Sequence, residues 1–423
     1  MTAGRWPRLK LGKLVDVKGG KRLPAGAVFS KVPTNHPYIR GQDIRNGRIR
    51  IGEPLFVTEE VFQKIRRYTV DAGDVCITIV GNIGDVGITP VELAGANLTE
   101  NAVKLIPLVQ DLERSYLAYA LLSPNVQEQM KLSAAGAAQP KLGIYKVNEI
   151  EVPVPDPESQ RRIVSILSAY DDLIENNTRR IAILEEMARR IYDEWFVRFR
   201  FPGHENVRMV ESELGLVPEG WSIEAVEDVF ETIGGGTPSK AEPDYWVDGV
   251  INWYVPTDLT GAKTVFMEES AAKINALGLS KSSAKLFPAN SVMMTSRATI
   301  GAIAVNTTDA CTNQGFISCL PSERFPLWLL FHWLKANVGV FESLGTGATF
   351  KEITKGVFRK IELAVPEASI VDAFEKAVGP MMALVLSLER KNRNLRTTRD
   401  LLLPKLISGE LDVSAMPEPE LAA

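Results

Sequence analysis

Apolar residues recur at alternating steps of four and three along Ile163, Leu167, Tyr170, Ile174, Asn177, Ile181, Leu184, Ala188, Ile191 and Trp195. This spacing keeps one stripe on one face of a helix and is the a/d seam of a coiled coil. A helix from Gln160 to Phe196 would reach roughly 55 Å at 1.5 Å per residue. A second stripe runs through Phe374, Val378, Met381, Val385, Leu388, Asn392, Leu395, Arg399, Leu402 and Leu406. Here Gly379-Pro380 predicts a break or restart, and Pro404 an end or kink. A stripe at this spacing can simply cover its own domain's core. These two persist for several heptads and recur, so the two helices are expected to pair with each other. Asn177, the polar position in the first seam, either fixes register as a buried group or faces solvent where the helices diverge.

The segments outside the stripes have a different pattern. Short β-branched runs at 75–80, 102–106, 292–295 and 301–305 are punctuated by glycine, and helical patches fall at 117–122 and 327–334. That combination predicts an α+β domain, and it occurs twice. Trp6 aligns with Trp221, Gly19-Gly20 with Gly234-Gly235, and Tyr38-Ile-Arg-Gly-Gln-Asp43 with Trp253-Tyr-Val-Pro-Thr-Asp258. Residues 75–84 align with 292–301, and Ile150-Glu-Val-Pro-Val-Pro155 with Ile361-Glu-Leu-Ala-Val-Pro366. The predicted fold class is therefore α+β: two similar α+β domains and a pair of long coiled-coil helices that pack on each other, related by an internal repeat.

Composition narrows the class without naming a function. The 423 residues are 45% hydrophobic and 24% charged, with a net charge of −4. No run approaches the ~18 apolar residues of a membrane helix, and the first residues lack a signal peptide's apolar stretch. Cys76, Cys311 and Cys319 form neither a disulfide framework nor a zinc-ligand spacing, which fits a reducing cytoplasm. Phosphate-binding loops, dinucleotide fingerprints and hydrolase elbows are all missing. The three histidines, His36, His204 and His332, share no repeat position, and His332 reads as a satisfied core residue. A duplicated chain without a duplicated catalytic set reads as a binder with two similar sites, with no catalytic, metal or cofactor residue in this chain.

Charge suggests what is bound. Residues 1–70 carry 15 Lys/Arg against 5 Asp/Glu, whereas residues 212–366 carry 12 against 17. The basic segment, including Lys18, Lys21, Arg22, Arg45 and Arg48, suits a phosphate backbone. Arg40 with Gln42, and Arg297 with Asn313 and Gln314, suit base edges that Arg or Gln can grip bidentately. The glycine-rich segments ending in Lys21-Arg22 and in Thr237, Ser239 and Lys240 would let backbone amides approach phosphate; a plain turn is the alternative. Repeat positions add Asn82 with Thr299, Thr257 opposite Gln42, and Ser296. The segments bearing Gln139 with Lys141 and Thr349 with Lys351 complete the DNA-binding candidates. Trp195, Phe196, Phe199 and Phe201 look too apolar for a free surface, which predicts poor solubility of the isolated chain.

Several segments resemble type I restriction–modification specificity subunits. Leu214-Gly-Leu-Val-Pro-Glu-Gly-Trp221 with Gly235-Gly-Thr-Pro-Ser239 resembles the opening of their target-recognition domains. Gly136-Ala-Ala-Gln-Pro-Lys-Leu with the Ile150 segment resembles a later part. Glu158-Ser-Gln-Arg-Arg-Ile-Val-Ser-Ile-Leu, Leu184-Glu-Glu-Met-Ala-Arg and Trp195-Phe-Val resemble the central conserved helix, and Leu402-Leu-Pro-Lys-Leu-Ile-Ser-Gly-Glu-Leu411 the C-terminal ending. Glu367-Ala-Ser-Ile370 departs from the usual Glu-Gln-Arg start of the second helix.

The resemblance implies a first target-recognition domain at 1–155, a central spacer helix at 156–211, a second domain at 212–366, a C-terminal helix at 367–412 and a tail at 413–423, with the two α+β domains separated by a pair of long antiparallel coiled-coil helices in an internal pseudo-two-fold repeat. It also implies double-stranded DNA with a split site, two methyltransferase subunits and restriction/translocase subunits as partners. S-adenosylmethionine, ATP and Mg2+ would belong to those partners. The alternatives are the specificity subunit of a methylation-only system and a two-lobed protein-binding scaffold without DNA specificity.

Overall fold

A computed structural model describes residues 6–135, 140–262, 264–347 and 351–414. The chain divides into two compact units, Met1–Asn176 with Asn392–Ala423, and Asn177–Lys391. Both long helices, Pro157–Tyr192 and Ala368–Ser408, are therefore shared between the units. That differs from the expected division into domains and separate helices.

In the first unit, a six-stranded sheet runs Val15–Gly19, Ala102–Pro107, Val75–Thr78, Val86–Ile88, Gly47–Ile49 and Ile44–Arg45. Its central strand, Val75–Thr78, is buried on both faces, which explains an apolar run without alternation. Helices Arg114–Leu122 and Pro124–Ala134 join a core with Leu105, Ile77, Tyr116 and Leu121. Ile163, Leu167, Leu406 and Ile407 from the long helices complete it. The helices run antiparallel here. Asn392 Nδ2 donates to the Ile174 carbonyl at 3.4 Å, Arg399 pairs with Asp171, and Arg162 Nη1 donates to the Ser414 carbonyl at 2.6 Å.

The second unit repeats this plan. Its five-stranded sheet runs Thr232–Gly234, Phe316–Cys319, Val292–Thr295, Ile303–Asn306 and Phe266–Met267. Helix Leu327–Ala336 is apolar around most of its circumference, and Trp328 to Leu334 are all buried. Its half of the helix pair is also antiparallel: Tyr192 and Trp195 meet Phe374, with ring centroids at 6.2 and 6.0 Å.

The C-terminal helix runs unbroken through Pro380 and Pro404. An interior proline costs about 3 kcal/mol. Val378, Met382 and Val385, each 0% exposed, offset this at ~1.5–3 kcal/mol apiece. Leu406 and Ile407 anchor the stretch beyond Pro404 in the first unit's core. Met382 takes the buried position expected of Met381, because the turn at Gly379-Pro380 advances by four, from 378 to 382. Asn177 and Asn392 are both buried, so each helix carries a polar group within its seam.

The central helix ends in a wider turn at Asp193–Val197. The expected helical region to 211 already contains the strand Met209–Ser212, which pairs with Gly215–Pro218 across the expected boundary. Of the four aromatics there, Phe201 is buried, and Trp195, Phe196 and Phe199 are partly covered by the second unit itself. Phe196 packs edge-on to Phe374 at 4.9 Å, Phe199 against Trp221 at 5.4 Å, and Phe201 stacks on Trp221 at 5.8 Å. His332 is buried, but its Nε2 has no hydrogen-bond partner among the described residues. Burial, reinforced by Lys335 and Arg189, lowers its pKa to about 4.

Candidate nucleic-acid interface

Both units build the same crossing of backbone segments. A Cβ on Gly20 would lie 2.1 Å from the Thr99 carbonyl oxygen and 2.4 Å from that of Leu98. On Gly235 it would lie 1.9 Å from the Asn313 oxygen and 2.4 Å from that of Thr312. Lys21 N donates to Leu98 O at 2.8 Å, and Gly236 N to Thr312 O at 2.9 Å. Close chain packing thus accounts for these glycines without any phosphate. The crossing sets the pairs 99/313 and 100/314 side by side in the repeat. It matches Arg22–Glu100, an ion pair at 3.3 Å, with Thr237–Gln314, a hydrogen bond at 2.6 Å.

The hairpin tips are duplicated as well. Thr78 Oγ1 accepts from Asp85 N at 3.0 Å, and Thr295 Oγ1 from Ala302 N at 2.9 Å. Gly84 and Gly301 have φ of 90° and 87°, the left-handed region that glycine enters freely. Lys141 bridges to Val80 in one unit and Glu352 to Arg297 in the other. The segments carrying Lys141 and Lys351 therefore lie against the two tips.

In the first unit these parts enclose a cleft of about 550 Å³, lined by Arg22, Arg40, Gln42 and Asn82 together with Tyr38, Thr78, Glu100 and Asn101. Four candidates from the sequence meet here, and Lys21 and Lys141 flank them. Glu100 and Asn101 were missed. The usable signal was the repeat register that carries Gln314 onto Glu100. Arg40 is held firmly: Nε and Nη2 donate to Asp43 at 3.2 and 3.1 Å, and Nη2 also to the Glu53 carbonyl at 3.1 Å. With those hydrogens engaged, Arg40 cannot grip a guanine edge bidentately as expected. Asp43 is buried and also accepts from Arg40 N at 2.8 Å.

Other candidates are tied up elsewhere. Lys18 pairs with Asp16 at 2.8 Å. Arg48 reaches Asp172 and Glu175 on the central helix at 3.3 and 3.6 Å, fixing strand to helix within the first unit. Arg45 lies 3.8 Å from Asp85, whose carboxyl is raised by burial, with Arg45 opposing. Much of the basic excess of residues 1–70 is thus balanced by carboxylates later in the chain. In the second unit, Ser239, Lys240, Thr257, Arg297, Thr299, Gln314 and Lys351 are exposed, with Arg297 3.8 Å from Glu352. Asn313 Oδ1 accepts from Gly315 N at 2.9 Å. Ser296 is only 2% exposed, and its backbone bonds Gly315 and Ile353, so it is a structural residue and not a surface one. Gln139 and Thr349 lie outside the described residues.

Among the described residues no cluster of three or more His, Cys, Asp or Glu side chains is placed to hold a metal ion, and no helix is long and apolar enough to cross a membrane. All three cysteines are buried. Burial pushes the Cys76 and Cys311 thiols up to about 12, which leaves them protonated and unreactive.

One fold is built twice, with the same crossing and tip but different side chains at matching positions. Residues 4–186 and 218–377 match the family model described as the type I restriction modification DNA specificity domain. The chain belongs to that family, whose role is DNA sequence specificity. It is 25% identical over 423 residues to the type I restriction enzyme MjaIX specificity subunit of Methanocaldococcus jannaschii, covering 97% of this chain and 94% of that protein. It is 26% identical over 356 residues to the HindI specificity subunit of Haemophilus influenzae, covering 70% and 77%. The crystal structure of a type I restriction–modification S subunit from M. genitalium superposes with a TM-score of 0.60 at 15% identity, covering 96% of this chain and 97% of that one. At that identity the likeness concerns the fold alone.

Proposed function

We propose that the chain recognises a bipartite DNA site, each unit reading one half with the surface around its backbone crossing and hairpin tip. The observation that carries this is the reuse of one geometry with different chemistry. Arg22–Glu100 gives way to Thr237–Gln314, Gln42 to Thr257 and Asn82 to Thr299. Two sites of equal shape but different donors and acceptors suit two different base sequences. The helix pair would set the gap between the half-sites and dock two methyltransferase subunits, with restriction/translocase subunits joining them. S-adenosylmethionine, ATP and Mg2+ would be held by those partners in the cytoplasm, this chain contributing no catalytic group.

Co-expression with the neighbouring methyltransferase gene in a host lacking this system, followed by mapping of methylated bases, tests the proposal. A two-part motif with a fixed gap is the expected result. No new methylation would favour a protein-binding scaffold and overturn it.

A further inference from the structure

The cleft of the first unit contains a chain of contacts that ends on an exposed amide. Asp43 occupies Arg40 through Nε and Nη2. The guanidinium also faces the Gln42 amide: with the amide oxygen turned toward it, Nη1 donates at 3.2 Å, while Nη2, whose hydrogens go to Asp43 and the Glu53 carbonyl, lies 3.1 Å away. This orientation of the amide is the one that satisfies both groups. The opposite orientation sets the amide nitrogen against a group made only of donors.

We infer that Gln42 is a specificity-determining residue whose amide N–H pair, not its oxygen, is presented to DNA. Asp43 and Arg40 act as positioning residues that fix its polarity. The inference rests on the proposal that this cleft faces DNA. Its chemical content is narrow. A glutamine gripping adenine bidentately donates to N7 and accepts from N6; with its oxygen held by Arg40, Gln42 does not read adenine in that way. It addresses base-edge acceptors: guanine O6 or N7, adenine N7 or thymine O4.

The second unit shows which part of the arrangement belongs to the shared fold. Asp258, aligned with Asp43, accepts from Val255 N at 2.8 Å, just as Asp43 accepts from Arg40 N at 2.8 Å. The carboxylate therefore closes the same turn in both units. Only the first unit has a guanidinium at the following contact, where the second carries Val255. The polarity lock is an addition to the turn and can be removed without disturbing it.

The test uses the chain assembled with its methyltransferase subunit and a library of DNA sites randomised across the first half-site. Three forms are compared: wild type, Gln42→Glu and Arg40→Met. Gln42→Glu keeps the contact with Arg40 but offers only acceptors. Arg40→Met keeps the Asp43 turn and frees the amide to rotate. At one base position, Gln42→Glu should lower methylation of the preferred site about tenfold and shift preference toward bases with an exocyclic amino donor. Arg40→Met should relax that same position, with preference in the second half-site retained. Thermal denaturation of both variants separates this from loss of fold, since misfolding lowers activity on all sites alike. If the wild type methylates its motif and Gln42→Glu leaves every first-half preference unchanged, the inference falls while the DNA-reading proposal stands. If the wild type shows no site-dependent methylation, both fall.

Discussion

Replacing Gly20 or Gly235 by alanine tests the duplicated backbone crossing directly. The added Cβ would sit 2.1 Å from the Thr99 oxygen in the first unit and 1.9 Å from the Asn313 oxygen in the second. Both obstacles are backbone, so neither can swing aside like a flexible side chain. Relief requires one segment to move by about 1 Å, given that non-bonded carbon and oxygen rarely approach within about 3 Å. In the first unit, that movement strains Gly20 N to Ala102 O, Lys21 N to Leu98 O and Thr99 N to Ile39 O, at 3.0, 2.8 and 3.0 Å. At about 1 kcal/mol each, losing the three costs about 3 kcal/mol. Gly52→Ala is the control, because a Cβ there meets nothing within 4 Å. Urea denaturation followed by far-UV circular dichroism reads the helices and strands of both units, so the part of the transition that tryptophan fluorescence does not follow belongs to the first. Tryptophan fluorescence reads the second, which contains six of the seven tryptophans. Gly20→Ala should lower stability by about 3 kcal/mol and weaken recognition of one half-site. A value within about 0.5 kcal/mol of the control would refute the crossing as the reason for glycine.

Phe374→Ala should destabilise the second unit by about 3–5 kcal/mol, because this 0% exposed ring joins Tyr192, Trp195 and Phe196. A loss below about 1 kcal/mol in a fluorescence-monitored melt would contradict its central packing role. Burial, with the Glu185 charge adding to it, holds the Glu389 carboxyl up at about 7. A carboxyl raised in the folded state favours folding only while protonated, so stability falls as pH climbs from the ordinary carboxylate range through about 7. Glu389→Gln should accordingly gain stability relative to wild type at pH 8 compared with pH 5; equal shifts at both pH values would refute this. Adding one heptad to both long helices should lengthen the gap in the DNA motif by ~3 base pairs, from ~10 Å of added helix. An active complex with an unchanged gap would exclude the helices as its ruler.

Periodicity made the long helices and the repeat legible, because an a/d seam and a duplicated order of glycines are one-dimensional signals. It failed where a local rule met tertiary packing. Pro380 was expected to interrupt a helix that buried Val378, Met382 and Val385 carry through. The aromatics from Trp195 to Phe201 looked exposed because their cover, Trp221 and Phe374, lies far along the chain. The site was legible only as positions. Arg22, Arg40, Gln42 and Asn82 do line one cleft, but a count of basic residues cannot reveal that Arg48 is spent on Asp172 and Glu175. Nor can it reveal that Asp43 consumes the donors with which Arg40 was expected to read guanine.

The claim of two independent reading surfaces is tested most directly by a chimera in which residues 15–150 are replaced by the corresponding segment of a family relative. Chimera and wild type are each expressed with the methyltransferase subunit, and the methylated motifs are mapped. The account predicts that one part of the motif changes while the other part and the gap between them stay as in the wild type. A motif that changes in both parts at once, or one that is unaltered, would contradict it.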